Sequence, residues 1–442
     1  MTNRFCTYLD KVFDFSSLFD RVRDGRVRPK IPAATVFACV FTLQATRRGS
    51  LNAWEHDPLR LPRAWHQRLN QLETVAAAAA GTKPPQTGQC TIPSPDTLAR
   101  VYSRIDSRSL RDVLGQVVQQ LGRNKVLRHE RPLTFVALDG HEFFSSRKRC
   151  CKHCLQRQVT IGSGPDKQQV TEYYHRGVMA QLVGPDIAVP LDVELQAPGE
   201  GEVAAAQRLL TRICQQHPRL FDAVLADALY FEAPFINFCR GLKLDVLVVV
   251  KGEQRLLLQD AQGLFAAQPP SATWLDQKKG ERRTIQAWDA AGFTSCEGVV
   301  EPLRVLHTHE TIRSRERVAG QWQEKTTESN WWWATTISAA RLPTRSACQA
   351  GHGRWQVENE GFNVLSTHWG LDHVYTHDAT ALVNFTLTLM LVYMLLQCFF
   401  RRNLKPAARK AVATLIALAA WLYQSWLTPG LPPSRSQRPP PS

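Results

Sequence analysis

Three carboxylates in the 442-residue chain are placed and spaced as a phosphoryl-transfer site would need them. Asp139 ends the run Leu133–Leu138 in RPLTFVALDGH. An apolar run of that length without alternation reads as a strand buried on both faces. An ionised carboxylate at its mouth costs several kcal/mol to desolvate unless a cation or donors meet it. Asp before Gly is also an ordinary turn-former, so this position alone leaves both readings open. Asp227 repeats the arrangement, following the apolar run Ala223–Ala226 in AVLADALYFEAPF. The third candidate lies in HGRWQVENEGFNVL. On a helix turning about 100° per residue, Trp355, Phe362 and Leu365 share one face, Glu358 falls among them, and Glu360 points roughly 160° away. Arg354 stands one turn before Glu358, at the spacing of an i,i+4 ion pair. A buried structural Glu–Arg pair is the alternative reading.

Carboxylates converging on one point repel unless divalent cations lie between them. Mg²⁺ prefers hard oxygen ligands and binds one or two carboxylates together with phosphate oxygens. Two such ions about 4 Å apart activate an attacking hydroxyl and steady the leaving oxygen.

A second chemical stretch is RKRCCKHCLQRQ. Cys151-x-x-Cys154 supplies half of a Zn²⁺ site by spacing. No matching C-x-x-C follows; His175 in YYHR is the nearest further ligand candidate, and free thiols in a basic hairpin are the alternative. Arg147, Lys148, Arg149, Lys152 and Arg157 flank the cluster and suit phosphate contact.

The elements that must position these residues fall into a recognisable order. Lys plus Arg number 54 against 39 Asp plus Glu, a net charge of +15, which points to a polyanionic partner and first to nucleic acid. The 11 cysteines are scattered through apolar segments and no apolar leader follows Met1, so the cysteines read as reduced and the chain as cytoplasmic. Residues 1–73 read as a helical DNA-binding region with the basic run Arg21, Arg23, Arg26, Arg28 and Lys30. Residues 74–88 read as a linker. Within 89–130, Ser94-Pro95-Asp96 opens a helix and 109–121 forms another, together carrying Arg100, Arg104, Arg108 and Arg111. Residues 131–251 alternate short β runs with helical segments, the texture of a mixed α/β sheet flanked by helices. Residues 252–330 are polar and β-leaning, an insertion with basic clusters (Lys278, Lys279, Arg282, Arg283; Arg313, Arg315, Arg317) and Trp322, which either packs the hairpin or stacks on a base. Residues 331–427 return to a buried strand and end in two long apolar helices, 380–400 and 407–426. The first is nearly long enough to span a bilayer, but its polar residues favour core packing over a membrane. The Pro- and Ser-rich stretch 428–442 is expected to be disordered.

Asp139 after LTFVAL, Asp227 in LADALY, and Arg354 with Glu358 in RWQVENEGFN followed by WGLDH together resemble the catalytic motifs of DDE transposases of bacterial insertion sequences. The resemblance covers about residues 90–400. It implies a ribonuclease-H-like core with a β-rich insertion. It also implies Asp139, Asp227 and Glu358 as ligands of two Mg²⁺ ions (or Mn²⁺ in their place), with Arg354 orienting Glu358 or touching DNA. The implied activity is strand cleavage at terminal inverted repeats and transfer into target DNA, in a homodimeric synaptic complex at the bacterial nucleoid. The chain departs from the fuller Y-x-x-R-x-x-x-E-x6-K signature, with Gly351 in the Tyr position and Leu365 in the Lys position. His352 and His368 are the candidates to take over those DNA contacts. A catalytically inactive or domesticated DNA-binding descendant is the second reading, and an intact triad argues against it.

Overall fold

The computed structural model describes residues 2–56, 61–84, 91–129, 132–252, 255–278, 280–318 and 321–427. Ten strands make one mixed sheet: β1 (Phe135–Ser146), β2 (Leu155–Ile161), β3 (Gln168–Val183), β4 (Val189–Leu195), β5 (Ala223–Ala226), β6 (Asp245–Val249), β7 (Ala272–Lys278), β8 (Glu281–Phe293), β9 (Leu303–Val318) and β10 (Gln321–Thr335). Their order is β2-β3-β1-β5-β6-β10-β9-β8-β7, with β4 also paired to β3. The expected mixed α/β, ribonuclease-H-like sheet flanked by helices is present. β4-β3-β1 form an antiparallel set, and β5 and β6 run parallel to β1. A parallel connection needs a crossover, which the helices Glu202–Gln216 and Ala233–Gly241 provide.

The unbroken apolar runs at the start of β1 and in β5 and β6 are buried at every position, as expected for central strands covered on both faces. β1 outlasts its parallel neighbour: β5 pairs only with Phe135, Val136 and Ala137, and beyond that point β1 keeps β3 alone. Asp139 stands just past the place where β5 ends, and Asp227 leaves β5 at the same level. The site is thus seated at the carboxyl ends of parallel strands.

The β-rich insertion 252–330 extends the central sheet. After the helix Leu256–Ala266, β7–β10 continue the central sheet as an antiparallel meander, joined through Trp333↔Val249. The β runs expected at 284–288 and 303–307 are parts of strands 13 and 16 residues long. β10 explains the WWWATT run: its first eight residues are exposed and its last three are buried beside β6.

The terminal regions share one core. Every residue of the helix Ala33–Ala45 is buried, and Gln44 Nε2 donates to Phe385 O at 3.1 Å. Tyr102 stacks on Phe385 at 4.3 Å, and Asn384 Nδ2 donates to the carbonyls of Tyr102 and Ile105. The apolar helix Ala379–Cys398, with the turn that follows it, is long enough to cross a bilayer, yet 89% of its most apolar window is buried inside the chain. The polar residues that dilute it, Asn384, Thr388 and Gln397, are the ones that bond to neighbouring segments.

One boundary differs from expectation. The helix Arg63–Ala80 runs through the alanines, so helix occupies the first half of the stretch read as linker. Alanine is the best helix former, and it outweighed the lack of large apolar residues there. Residues 85–88 of that stretch, Lys279 and the tail 428–442 lie outside the described residues. Ser94 does cap its helix, accepting from Thr97 N with Pro95 at the first position.

Candidate functional site

Asp139 and Asp227 each lie two residues beyond the Ala137↔Leu225 pair. Asp227 also caps a short 3₁₀ turn, its Oδ1 accepting from Leu229 N at 2.9 Å. Glu358 comes from the far end of the chain, within a π-helical turn, Val357–Phe362, between the helices Thr344–Gly353 and Asn363–Trp369. Asn363 N–H there reaches back five residues to Glu358 O. The wide turn alters the projection drawn for an ordinary helix. Phe362 and Leu365 are buried as expected, but Trp355 is only partly so and Glu358 is exposed, not embedded among them. An inserted residue in a helix is a recurrent device at functional sites, and here it turns the carboxylate outward.

These groups act on one another. Burial pushes the Asp139 carboxyl up to about 6; Arg354 pulls against that, and Glu358, Glu202 and Asp227 add to it. Arg354 Nη1 lies 3.8 Å from Asp139 Oδ1, so among the described residues its ion pair is across the site, not with Glu358 one turn on.

Glu202 is a fourth carboxylate that sequence reasoning missed. It opens the helix Glu202–Gln216, is nearly buried, accepts from Tyr230 Oη at 2.9 Å and lies 2.8 Å from Arg176 Nη2. Its carboxylate rests on the backbone of Gly140, where a Cβ would overlap it. The glycine after Asp139 is therefore needed for close approach and not for a turn, since β1 runs on through it. WGLDH also gains a contact: Asp372 Oδ1 lies 2.6 Å from His141 Nε2, Ser366 Oγ is 3.3 Å from both, and His141 stacks on Phe362.

The departures from the longer signature have physical reasons. A Cβ at Gly351 would overlap the Trp333 indole, so no tyrosine fits. Leu365 is fully buried. His352 is engaged with Glu310 at 2.7 Å, while the exposed His368 offers its carbonyl to Arg47.

The cysteine stretch forms the turn between β1 and β2. Cys151, Cys154 and His175 do meet, and His377 joins them from just before the helix Ala379–Cys398. Their four ligand atoms lie within 4.8 Å of one another, the one group of three or more so close among the described residues. The three carboxylates do not gather as tightly. Burial pushes His175 down to about 4, with His377 and His153 adding to the shift.

Arg147, Lys148, Arg149 and Lys152 are exposed on that turn. Arg157 is not free for phosphate: it holds Glu142 at 2.7 and 2.8 Å and Glu172 at 2.8 Å. Arg111 is likewise committed to the buried Asp192 at 2.9 Å, and Arg26 to Asp24. Trp322, opposite Arg317 near the β9–β10 turn, is 69% exposed, which removes the hairpin-packing reading.

A profile of the transposase DDE domain family matches residues 137–395, from just before Asp139 to the C-terminal apolar helix. The chain belongs to this family. Its match spans β1, β5 and the π turn, the three elements that carry Asp139, Asp227 and Glu358 in this transposase. No curated protein matches the chain.

Proposed function

We propose that the transposase cuts DNA at the terminal inverted repeats of a mobile element and joins the released 3′-OH to target DNA, using Asp139, Asp227 and Glu358 at one site. The observation that carries this reading is that Asp139 on β1 and Asp227 after the parallel β5 stand at the same level of the sheet, with Arg354 Nη1 3.8 Å from Asp139 Oδ1 at the approach to the π turn that carries Glu358. In the first step water attacks a phosphodiester and a 3′-oxygen leaves. In the second that 3′-OH attacks a target phosphodiester, forming the new P–O bond as the target's own 3′-oxygen leaves and takes up the proton, so no covalent protein intermediate is needed.

The donor set is all carboxylate oxygen, and burial, with Glu358, Glu202 and Asp227 adding to it, pushes the Asp139 carboxyl up to about 6, which fits a hard divalent cation such as magnesium. Bound Mg²⁺, or Mn²⁺ in its place, would sharpen the attacking hydroxyl and steady the leaving oxygen. Asp139, Asp227 and Glu358 would hold it, with Glu202 fixing the backbone of Gly140 beneath Asp139. Arg354 would hold Asp139 in place or meet a phosphate oxygen. The exposed Arg147, Lys148, Arg149 and Lys152 would bind the DNA backbone. A second copy of the chain would hold the other element end in the synapse, at the nucleoid of a bacterial cell.

The test is cleavage of DNA carrying the element's own ends, with and without Mg²⁺, by wild type and Asp227→Ala. Mg²⁺-dependent cleavage lost in the variant while end binding persists is the expected result. Equal cleavage by both removes Asp227 from the site. End binding without cleavage by either protein favours the inactive, domesticated descendant.

A further inference from the structure

We infer that Cys151, Cys154, His175 and His377 form a structural Zn²⁺ site that ties the basic β1–β2 turn to the C-terminal helix. The first ground is distance. A tetrahedral zinc with Zn–S of about 2.3 Å and Zn–N of about 2.0–2.1 Å sets its thiolates about 3.8 Å apart and each thiolate about 3.6 Å from an imidazole nitrogen. The chain places Cys154 Sγ 3.7 Å from Cys151 Sγ and 3.5 Å from His175 Nε2. Cys151 Sγ lies 3.4 Å from His175 Nε2, and Cys154 Sγ 3.0 Å from His377 Nε2. The sulfur–sulfur separation is far beyond a disulfide bond of about 2.05 Å.

The second ground is how the turn is built. Cys154 N donates to Cys151 O at 3.1 Å, closing the C-x-x-C turn, and Cys151 N points at Cys154 Sγ at 3.2 Å. Cys154 and His175 are nearly fully buried, whereas the neighbouring Cys150 and His153 are exposed and outside the group. Two soft sulfurs with two imidazoles suit zinc, not the hard ion of the carboxylate site.

The third ground is what the ion would join. His175 pairs across the sheet with Phe144 of β1, the two cysteines form the turn after β1, and His377 precedes Asp378, whose side chain caps the helix Ala379–Cys398. The six residues from Asp372 to His377 would be pinned at one end to His141 and at the other to the ion. The turn bearing Lys148 and Arg149 would then be fixed relative to Asp139 on the same strand.

The experiment is metal analysis of the full-length protein purified under reducing conditions without chelator, followed by exchange with Co²⁺. One zinc per chain is expected, and a cobalt form with the intense visible bands of a tetrahedral thiolate site. Cys150→Ser should keep the ion; Cys154→Ser and His377→Gln should lose at least nine-tenths of it. His377→Cys, which restores a ligand, should regain it, separating ligation from general misfolding. Metal-free wild type that takes up no Co²⁺, a Cys151–Cys154 disulfide, or full zinc in both Cys154→Ser and His377→Gln would each overturn the assignment.

Discussion

β1 serves two ligand sets of opposite character. At Asp139 it offers a hard oxygen donor to a loose group of carboxylates; at its far end it leads into a compact group of two thiols and two imidazoles. The difference follows from charge. The Cys/His group closes until its four ligand atoms lie within 4.8 Å of one another. Carboxylates brought equally close repel; burial pushes the Asp139 carboxyl up to about 6, and Glu358, Glu202 and Asp227 add to that rise. A preformed soft site is suited to holding structure, and an open hard site to exchanging ions and phosphates.

The strongest way to break this comparison is to show that the two sets are not independent. Asp227→Ala should lower Mg²⁺-dependent cleavage by about 10³-fold or more, several kcal/mol of transition-state stabilisation, while its zinc content stays that of wild type. Gel-based cleavage assays and metal analysis on one preparation decide it. Loss of zinc in Asp227→Ala would mean that the two groups share a folding dependence and that the division between them is wrong.

A smaller effect tests how the chain seats the helix that leads into Glu358. Gly351→Ala places a methyl group against the Trp333 indole, and overpacking of this kind costs about 1–3 kcal/mol. Gly351→Tyr, which restores the residue of the longer transposase signature, should cost more than Gly351→Ala, and Trp333→Ala should recover part of the loss. Urea unfolding midpoints of the single and double variants measure the coupling. Additive effects would show that the Trp333 contact is not what keeps residue 351 small.

Where sequence was informative and where it was not has a physical pattern. The ends of β1's buried run and of β5 were legible because each is an unbroken apolar run closed by a carboxylate, and the structure sets Asp139 and Asp227 level with one another there. Glu358 was expected among buried residues and is exposed, because 100° per residue does not apply inside a π turn. Glu202 left no local signal: an acidic residue at a helix start is ordinary, and only the tertiary approach to Gly140 gives it meaning. His377 was missed for a related reason. It lies 223 residues from Cys154, and no spacing rule reaches that far. The β-rich insertion was legible because polar faces and long hairpins break the rhythm of the core, but not that its strands extend the same sheet.

The contact between that meander and the helix ending at Gly353 can be followed by pH. Glu310 on β9 is almost fully buried and meets His352 at 2.7 Å, Thr308 at 3.0 Å and Arg283 at 3.2 Å. Burial alone would raise its carboxyl, but these partners together hold it below the usual carboxylate range. With the folded pKa below the unfolded one, the unfolded state binds the proton more tightly. The stabilisation is then present above the unfolded value of about 4.5 and is lost as pH falls through the folded pKa. Glu310→Gln should cost about 1–3 kcal/mol near neutral pH. Thermal unfolding followed from pH 7 to pH 3 should fall less steeply in the variant than in wild type. Parallel curves would remove Glu310 from the acid response and leave the helix anchored by packing alone.

The smallest effect separates residues that touch DNA from those that shape the surface that does. Lys148 and Arg149 are exposed on the β1–β2 turn, with their backbone N–H groups tied to Ser146 Oγ. Arg157, on β2 just beyond that turn, carries the same charge but spends it on Glu142 and Glu172. Each phosphate contact contributes roughly 0.9 to the slope of log affinity against log salt. Replacing Lys148 and Arg149 together by alanine should therefore flatten that slope by roughly 1.8 and weaken binding to any sequence alike. Arg157→Ala should leave the slope unchanged, because the charge removed was already neutralised by two carboxylates, and should instead loosen the hairpin by about 0.2–1 kcal/mol, the range of exposed ion pairs. Fluorescence anisotropy across a salt series measures the first, and hydrogen exchange of β2 the second. An equal loss of slope in both variants would place Arg157 on the phosphate, and the Glu142–Arg157–Glu172 bridge would then have to open when DNA binds.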